Sequence, residues 1–234
     1  VLTVEKVGKV DLPAPDIFFG NSKMEVTDTD IYKSDQVFTR GQMITVTGID
    51  NLNEWWIDPD FFEKQSDGTL KFLPINGDYR VTANGILKYF SVIALKDGKP
   101  AKLQDDGTGA IWAIGKGIGK PSVTSSEVGW ETGKALCLAQ VAPKKYQLTL
   151  KAGETLKTSG DWEAISFKFF YQNDWGGEFS NYASNTLVEQ LKLTGSGNLE
   201  MQDNKAFEEG GVYRFTIDVT NGNANAILKV EKIN

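Results

Sequence analysis

The chain has 234 residues, of which 40% are hydrophobic and 24% charged, with a formal net charge of -6 and no histidine. That leaves room for one large or two ordinary domains, each with enough apolar material to bury a core. The negative balance and the scattered basic residues provide no cationic field to gather phosphates, so no nucleic-acid partner is expected. Without imidazole, a serine or cysteine nucleophile lacks its usual base and zinc its commonest ligand. No cofactor or metal is therefore expected, and any acid–base chemistry would fall to carboxylates, lysine or tyrosine.

Residues 1–10 alternate valine with polar residues, which is not the pattern of a signal peptide. No later stretch approaches the roughly 18 consecutive apolar residues of a membrane-spanning helix, so no transmembrane segment is expected. A start at Val1 rather than methionine is read as removal of a leader, which keeps export open. Alternation over residues 43–47 predicts a strand. An aromatic cluster follows, Glu54-Trp55-Trp56-Ile57-Asp58-Pro59-Asp60-Phe61-Phe62. One of the adjacent tryptophans is expected to face out. Asp58-Pro59-Asp60 reads as a turn before it reads as calcium ligands, because a loop site for calcium supplies more oxygens at regular spacing.

Asp67-Gly68, Asn76-Gly77, Asn84-Gly85, Asp97-Gly98, Asp106-Gly107 and Asn221-Gly222 are dipeptides favoured in tight hairpins, where both central residues need positive φ. Short strands punctuated in this way, with no helical stripe, predict an all-β protein of two tandem immunoglobulin-like antiparallel β-sandwich domains. An internal repeat supports the number two. Gly77-Asp78-Tyr79-Arg80-Val81-Thr82 is echoed by Gly211-Val212-Tyr213-Arg214-Phe215-Thr216, and Ala83-Asn84-Gly85-Ile86-Leu87-Lys88 by Ala224-Asn225-Ala226-Ile227-Leu228-Lys229. Each copy is read as the closing hairpin of a domain. The polar, turn-rich stretch 96–109 is read as a linker, giving domains 1–105 and 106–234.

In the second domain, Trp112 lies within a predicted strand and is as compatible with core as with surface, whereas Trp130 follows Gly129 in a loop and is the better candidate for an exposed ring. Cys137, the single cysteine, sits in the apolar run Ala135-Leu136-Cys137-Leu138-Ala139 and is expected to be buried core. Strands are predicted over 145–150 and 164–171, and Trp162 is expected to pack. Alternation puts Ile165, Phe167 and Phe169 toward the core and Ser166, Lys168 and Phe170 on the opposite face. A fainter echo, 41–48 against 153–160, aligns the two copies and leaves the second longer around 161–187. That added segment carries Phe170-Tyr171-Gln172-Asn173-Asp174-Trp175-Gly176-Gly177-Glu178-Phe179, and added loops are where function concentrates.

An indole can stack on the apolar face of a pyranose while an ammonium and an amide bond the hydroxyls along its edge. Lys168, Asn173 and Trp175, with Trp130 and Glu178 beside them, are accordingly the candidate glycan-binding residues. The bland alternative makes Lys168 an ordinary solvent-facing strand residue and Trp175 a loop anchor. Asp174 and Glu178 are also the carboxylate pair to weigh for glycoside hydrolysis, which needs a separation of about 5–10 Å. A structural or adhesive protein with aromatic loops turned to a protein partner is the third reading.

Ile111-Trp112-Ala113-Ile114-Gly115, Gly129-Trp130, the strand over 146–150, Phe167-Lys168-Phe169 and the loop with Trp175 resemble, in order, the starch-binding modules of SusE/SusF-like outer-membrane lipoproteins. The resemblance covers about 109–234; Trp55-Trp56 through Phe62 resembles the domains that precede such modules. It implies a non-catalytic, surface-exposed glycan-binding protein of a polysaccharide-utilisation system. Such a protein is held at the outer membrane by a lipid anchor upstream of Val1, and its partners are an oligo- or polysaccharide and other outer-membrane glycan-uptake proteins. By the same resemblance Trp130 and Trp175 supply the aromatic platform and Lys168 a polar contact. Trp112 stands where those modules often have a smaller aromatic, so starch itself is not carried over.

Overall fold

The computed structural model describes residues 14–159 and 164–234. Among them the chain is all-β, its strands paired antiparallel except for Ser184–Thr186 beside Ile227–Lys232, with one short helix at Val123–Ser126 and three single 3-10 turns. No helix among the described residues is long and apolar enough to cross a membrane. Trp162 and Gly160 lie outside the described residues, as do residues 1–10.

The first half is built on a five-stranded sheet in the order Lys99–Pro100, Tyr89–Lys96, Gly77–Asn84, Ile31–Phe38, Glu25–Asp28. Strict alternation along Gly77–Asn84 turns Tyr79, Val81 and Ala83 inward. They meet two three-stranded sheets, one through Phe19 and the other through Ile44, Phe62, Leu70 and Phe72, in one buried cluster. Ring contacts hold the layers together, with Phe19 5.2 Å from Phe90 and Phe72 4.9 Å from Tyr79.

The second half repeats this logic with two larger sheets. One runs Glu127–Gly129, Trp112–Gly119, Ser166–Phe170, Leu199–Met201, Leu191–Leu193; the other runs Ala139–Ala142, Lys145–Lys151, Val212–Asp218, Ile227–Lys232, Ser184–Thr186. Ile165, Phe167 and Phe169 face the core as alternation requires, and Phe215 of the second sheet lies 5.5 Å from Phe167. Phe170, expected on the outer face, is on it and yet buried. Across from it on the neighbouring strand, Trp112 is buried too, and its indole N–H donates to the Ala101 carbonyl at 3.0 Å.

The repeat has a structural counterpart. Tyr79 and Val81 correspond to Tyr213 and Phe215, all buried, each in a strand that forms a hairpin with the last long strand of its half. Of the fainter echo, the opening glycine corresponds, whereas the strands Met43–Ile44 and Val46–Thr47 have no counterpart over 155–159. Gly41 (φ 81°) and Gly153 (φ 84°) both lie in the turn just after the strand paired with that repeat strand, in the left-handed region that favours glycine. The second block differs, because Gly85 to Lys88 form the turn of the first hairpin whereas Ile227 to Lys229 already lie in a strand. The turn expectations divide similarly. Asp97 and Gly98 both have positive φ (52° and 72°) in a two-residue hairpin, but at Asn84-Gly85 the left-handed residue is Lys88, and Gly77 opens a strand.

Two features join the halves. Ala101 and Leu103, in the predicted linker, belong to the second core, while Ala139 of the second half belongs to the first. Cys137 is buried near this junction, and burial pushes its thiol up to about 12. A thiol held protonated and out of solvent is unreactive. At pH 8 we expect no labelling of the native protein by Ellman's reagent over an hour and one equivalent after denaturation; stoichiometric native labelling would contradict the burial.

Candidate functional site

The added loop after Ser166–Phe170 is shaped by its own backbone. Tyr171 N donates to the Gly177 carbonyl at 2.7 Å and Phe179 N to the Phe169 carbonyl at 2.9 Å, so residues 171–177 form a closed excursion from the sheet. Gly176 and Gly177, at φ 82° and 73°, make the return. Asp174 caps the turn by accepting from Trp175 N at 2.8 Å, and Gln172 Nε2 donates to the Trp175 carbonyl at 2.7 Å. These bonds present Trp175 outward, 52% exposed, the most exposed tryptophan among the described residues.

Trp130 comes to the same place from the loop after Glu127–Gly129. Its ring centroid lies 6.3 Å from that of Trp175, with the planes 27° apart, and Trp130 is partly buried against the second core. Phe170 meets Trp175 edge-on at 6.0 Å, so the exposed indole is propped on two rings rather than free to turn. Lys168 stands two residues before Phe170 on the same strand face, half-buried and opposite Ile114. Asn173 is half-buried within the loop, and Glu178 lies where the returning chain bridges Phe170. The five predicted residues thus belong to one loop, one strand face and one neighbouring turn. Trp112 does not join them, being sealed under the 101–103 segment. The Asp174 carboxylate is engaged in shaping the loop.

In the first half the aromatic cluster departs from expectation. Trp55 is core, stacked on Phe90 at 4.5 Å. Trp56 is half-buried and turned to the second half, where its indole N–H donates to Glu154 Oε1 at 2.5 Å. Trp55 is sealed in the first core and Trp56 is partly covered by the second half, so neither is a freely exposed ring.

Asp58 and Asp60 form the turn expected of them: Phe61 N and Phe62 N both donate to the Asp58 carbonyl. Their carboxylates are buried and receive a cation from sixty residues away. Lys120 Nζ donates to both Asp58 oxygens at 2.8 and 2.7 Å and to Asp60 Oδ2 at 3.1 Å. Asp60 also accepts from Gln147 Nε2 at 2.8 Å and from Thr149 N and Oγ1, both at 2.6 Å. Burial opposes charge on all three groups. For Asp60 the Lys120 charge and these donors outweigh burial and hold the carboxyl below its usual range. For Asp58 burial, reinforced by the neighbouring Asp60 charge, prevails and raises it. For Lys120 the two carboxylates win and raise it. The sequence marks Asp58 and Asp60 as a turn but not their partner, because Lys120 in Gly119-Lys120-Pro121 looks like any surface lysine.

The chain is therefore an all-β protein with an exposed tryptophan, Trp175, propped on Trp130 and Phe170, and a buried charge cluster joining its halves. Residues 106–220 match the family described as Domain of unknown function (DUF5121), and residues 10–103 match that described as Domain of unknown function (DUF5125). No curated protein matches the chain.

Proposed function

We propose that this chain is a non-catalytic glycan-binding protein, SusE/SusF-like in kind, made of two tandem immunoglobulin-like β-sandwich domains with its principal site at Trp175. The observation that carries this reading is the Trp130–Trp175 pair, a supported indole left more than half open on the outer side of a sheet. Exposed apolar rings are costly to display, and a platform with Lys168, Asn173 and Glu178 near its edge suits a sugar ring, with its apolar face and hydroxyl rim. The resemblance to outer-membrane lipoproteins adds a cell-surface setting, with a lipid anchor outside this chain and other glycan-uptake proteins as neighbours.

Affinity electrophoresis against α-glucans, β-glucans, mannans and host-type glycans tests the proposal. One polysaccharide is expected to retard the protein, with an affinity no better than micromolar, about -8 kcal/mol or weaker, as one shallow site allows. Trp175→Ala should abolish retardation, at least about tenfold in affinity, or 1.4 kcal/mol. Because this side chain is half exposed and loses only its contacts with Trp130 and Phe170, the melting temperature should fall by no more than a few degrees and the variant should stay folded. Folded protein that no glycan retards would overturn the proposal, and turnover of a polysaccharide, abolished in Glu178→Gln, would replace it with hydrolysis.

A further inference from the structure

A groove of about 350 Å³ runs between the two halves, floored by the outer face of the strands Lys145–Lys151 and Val212–Asp218 and walled by the Trp56 turn. That volume is within the range of small-molecule sites. Its polar groups are left with specific unused capacity. Gln147 spends its Nε2 on Asp60, leaving its amide oxygen to accept. Trp56 offers a half-buried ring whose N–H is already satisfied by Glu154.

The charges are unequal. Glu154, the one acid lining the groove, is matched by Lys151 at 2.8 Å. Arg214 has no ion-pair partner among the described residues, and its Nε is shut off from solvent with no hydrogen-bond acceptor. Its cross-strand neighbour Glu231 pairs with Lys229 instead, at 2.7 Å. Nε itself is closed to a ligand from solvent, but Arg214 as a whole is only half-buried and lines the groove without an acidic partner, and a planar carboxylate is the acceptor that a guanidinium fork fits best.

We infer that this groove is a second binding site, specific for a carboxylate-bearing sugar, a uronate unit of an oligosaccharide. The carboxylate lies on Arg214, the ring against Trp56, and a hydroxyl on the Gln147 amide oxygen. The site is separate from the Trp175 platform and does not rest on it. It exists only where the halves meet, because each contributes one wall.

Isothermal titration with trigalacturonate tests it, with the methyl ester of the same oligosaccharide and neutral cellotriose as controls. Trigalacturonate should bind the wild type and the Trp175→Ala variant alike. The methyl ester, which keeps the shape and loses the charge, should bind at least tenfold more weakly, as should cellotriose. Arg214→Gln should lose the same factor with an unchanged melting temperature; if that variant is unstable, the methyl ester comparison decides with the unaltered protein. No heat from trigalacturonate, equal binding of acid and ester, or loss in Trp175→Ala but not in Arg214→Gln would each overturn the inference.

Discussion

Replacing Lys120 with methionine is expected to destabilise the protein by about 3–5 kcal/mol, the range for removing one partner of a buried ion pair. For a chain of this size that is a fall in melting temperature of roughly 6–20 °C. The reason is arithmetic of charge: one ammonium serves two buried carboxylates, and without it both are left in a medium that cannot solvate them. The two aspartates should not be equivalent. Asp58→Asn removes the carboxyl that burial and its neighbour already disfavour, keeps an oxygen for Lys120, and relieves repulsion on Asp60. It should cost less than Asp60→Asn, which weakens acceptance from Gln147, Thr149 and Lys120 together. Urea melts of the three variants give the order, and Asp58→Asn proving the worse would contradict it.

The pH dependence follows by sign. Lys120 has a folded pKa above its unfolded value, so its contribution is complete below about pH 10.5 and is lost as pH rises through the higher folded value. On the acid side the two aspartates oppose each other. The lowered Asp60 contributes stability above the unfolded carboxylate pKa that is lost as pH falls through the folded one, while the raised Asp58 favours the protonated, folded form. The distinguishing limb is therefore alkaline, and the gap between wild type and Lys120→Met should narrow above pH 10.5.

Gly115→Ala should be comparably severe. A β-carbon there would lie 2.4 Å from both the Phe167 Cα and the Ser166 carbonyl oxygen, and the backbone φ of 141° is one that side-chain-bearing residues rarely adopt. Backbone cannot step aside as a flexible side chain can, so the strands Trp112–Gly119 and Ser166–Phe170 must separate inside the sheet that runs from Glu127–Gly129 to Leu191–Leu193. A loss of more than about 4 kcal/mol, or failure to fold, is expected. Gly133→Ala, with nothing within 4 Å of the added carbon, should change stability by no more than about 0.5 kcal/mol.

These two positions show how far the amino-acid sequence could be read. The strands, the repeat and the burial of Cys137 were legible because period-two alternation and turn chemistry are local. The Trp175 loop stood out because one copy of the repeat was longer than the other there. Its meeting with Trp130 depended on the pairing of three strands, which only order in the chain hinted at. Lys120 with Asp58 and Asp60 was illegible: a charged residue buried by a partner sixty positions away carries the same letter as one in solvent. Trp56 misled for the same reason, since its exposed-looking context is covered by the other half.

The segment 101–103 packs with the second half although it precedes it in the chain. Cutting this chain into two separately expressed pieces at the turn around Asp105 would leave Ala101, Leu103 and the acceptor for the Trp112 indole on the wrong fragment, and Ala139 missing from the other. A protease nicking that exposed turn would break the polypeptide without parting the halves. The nicked protein should travel through a sizing column as one body, and the pieces should come apart only on denaturation.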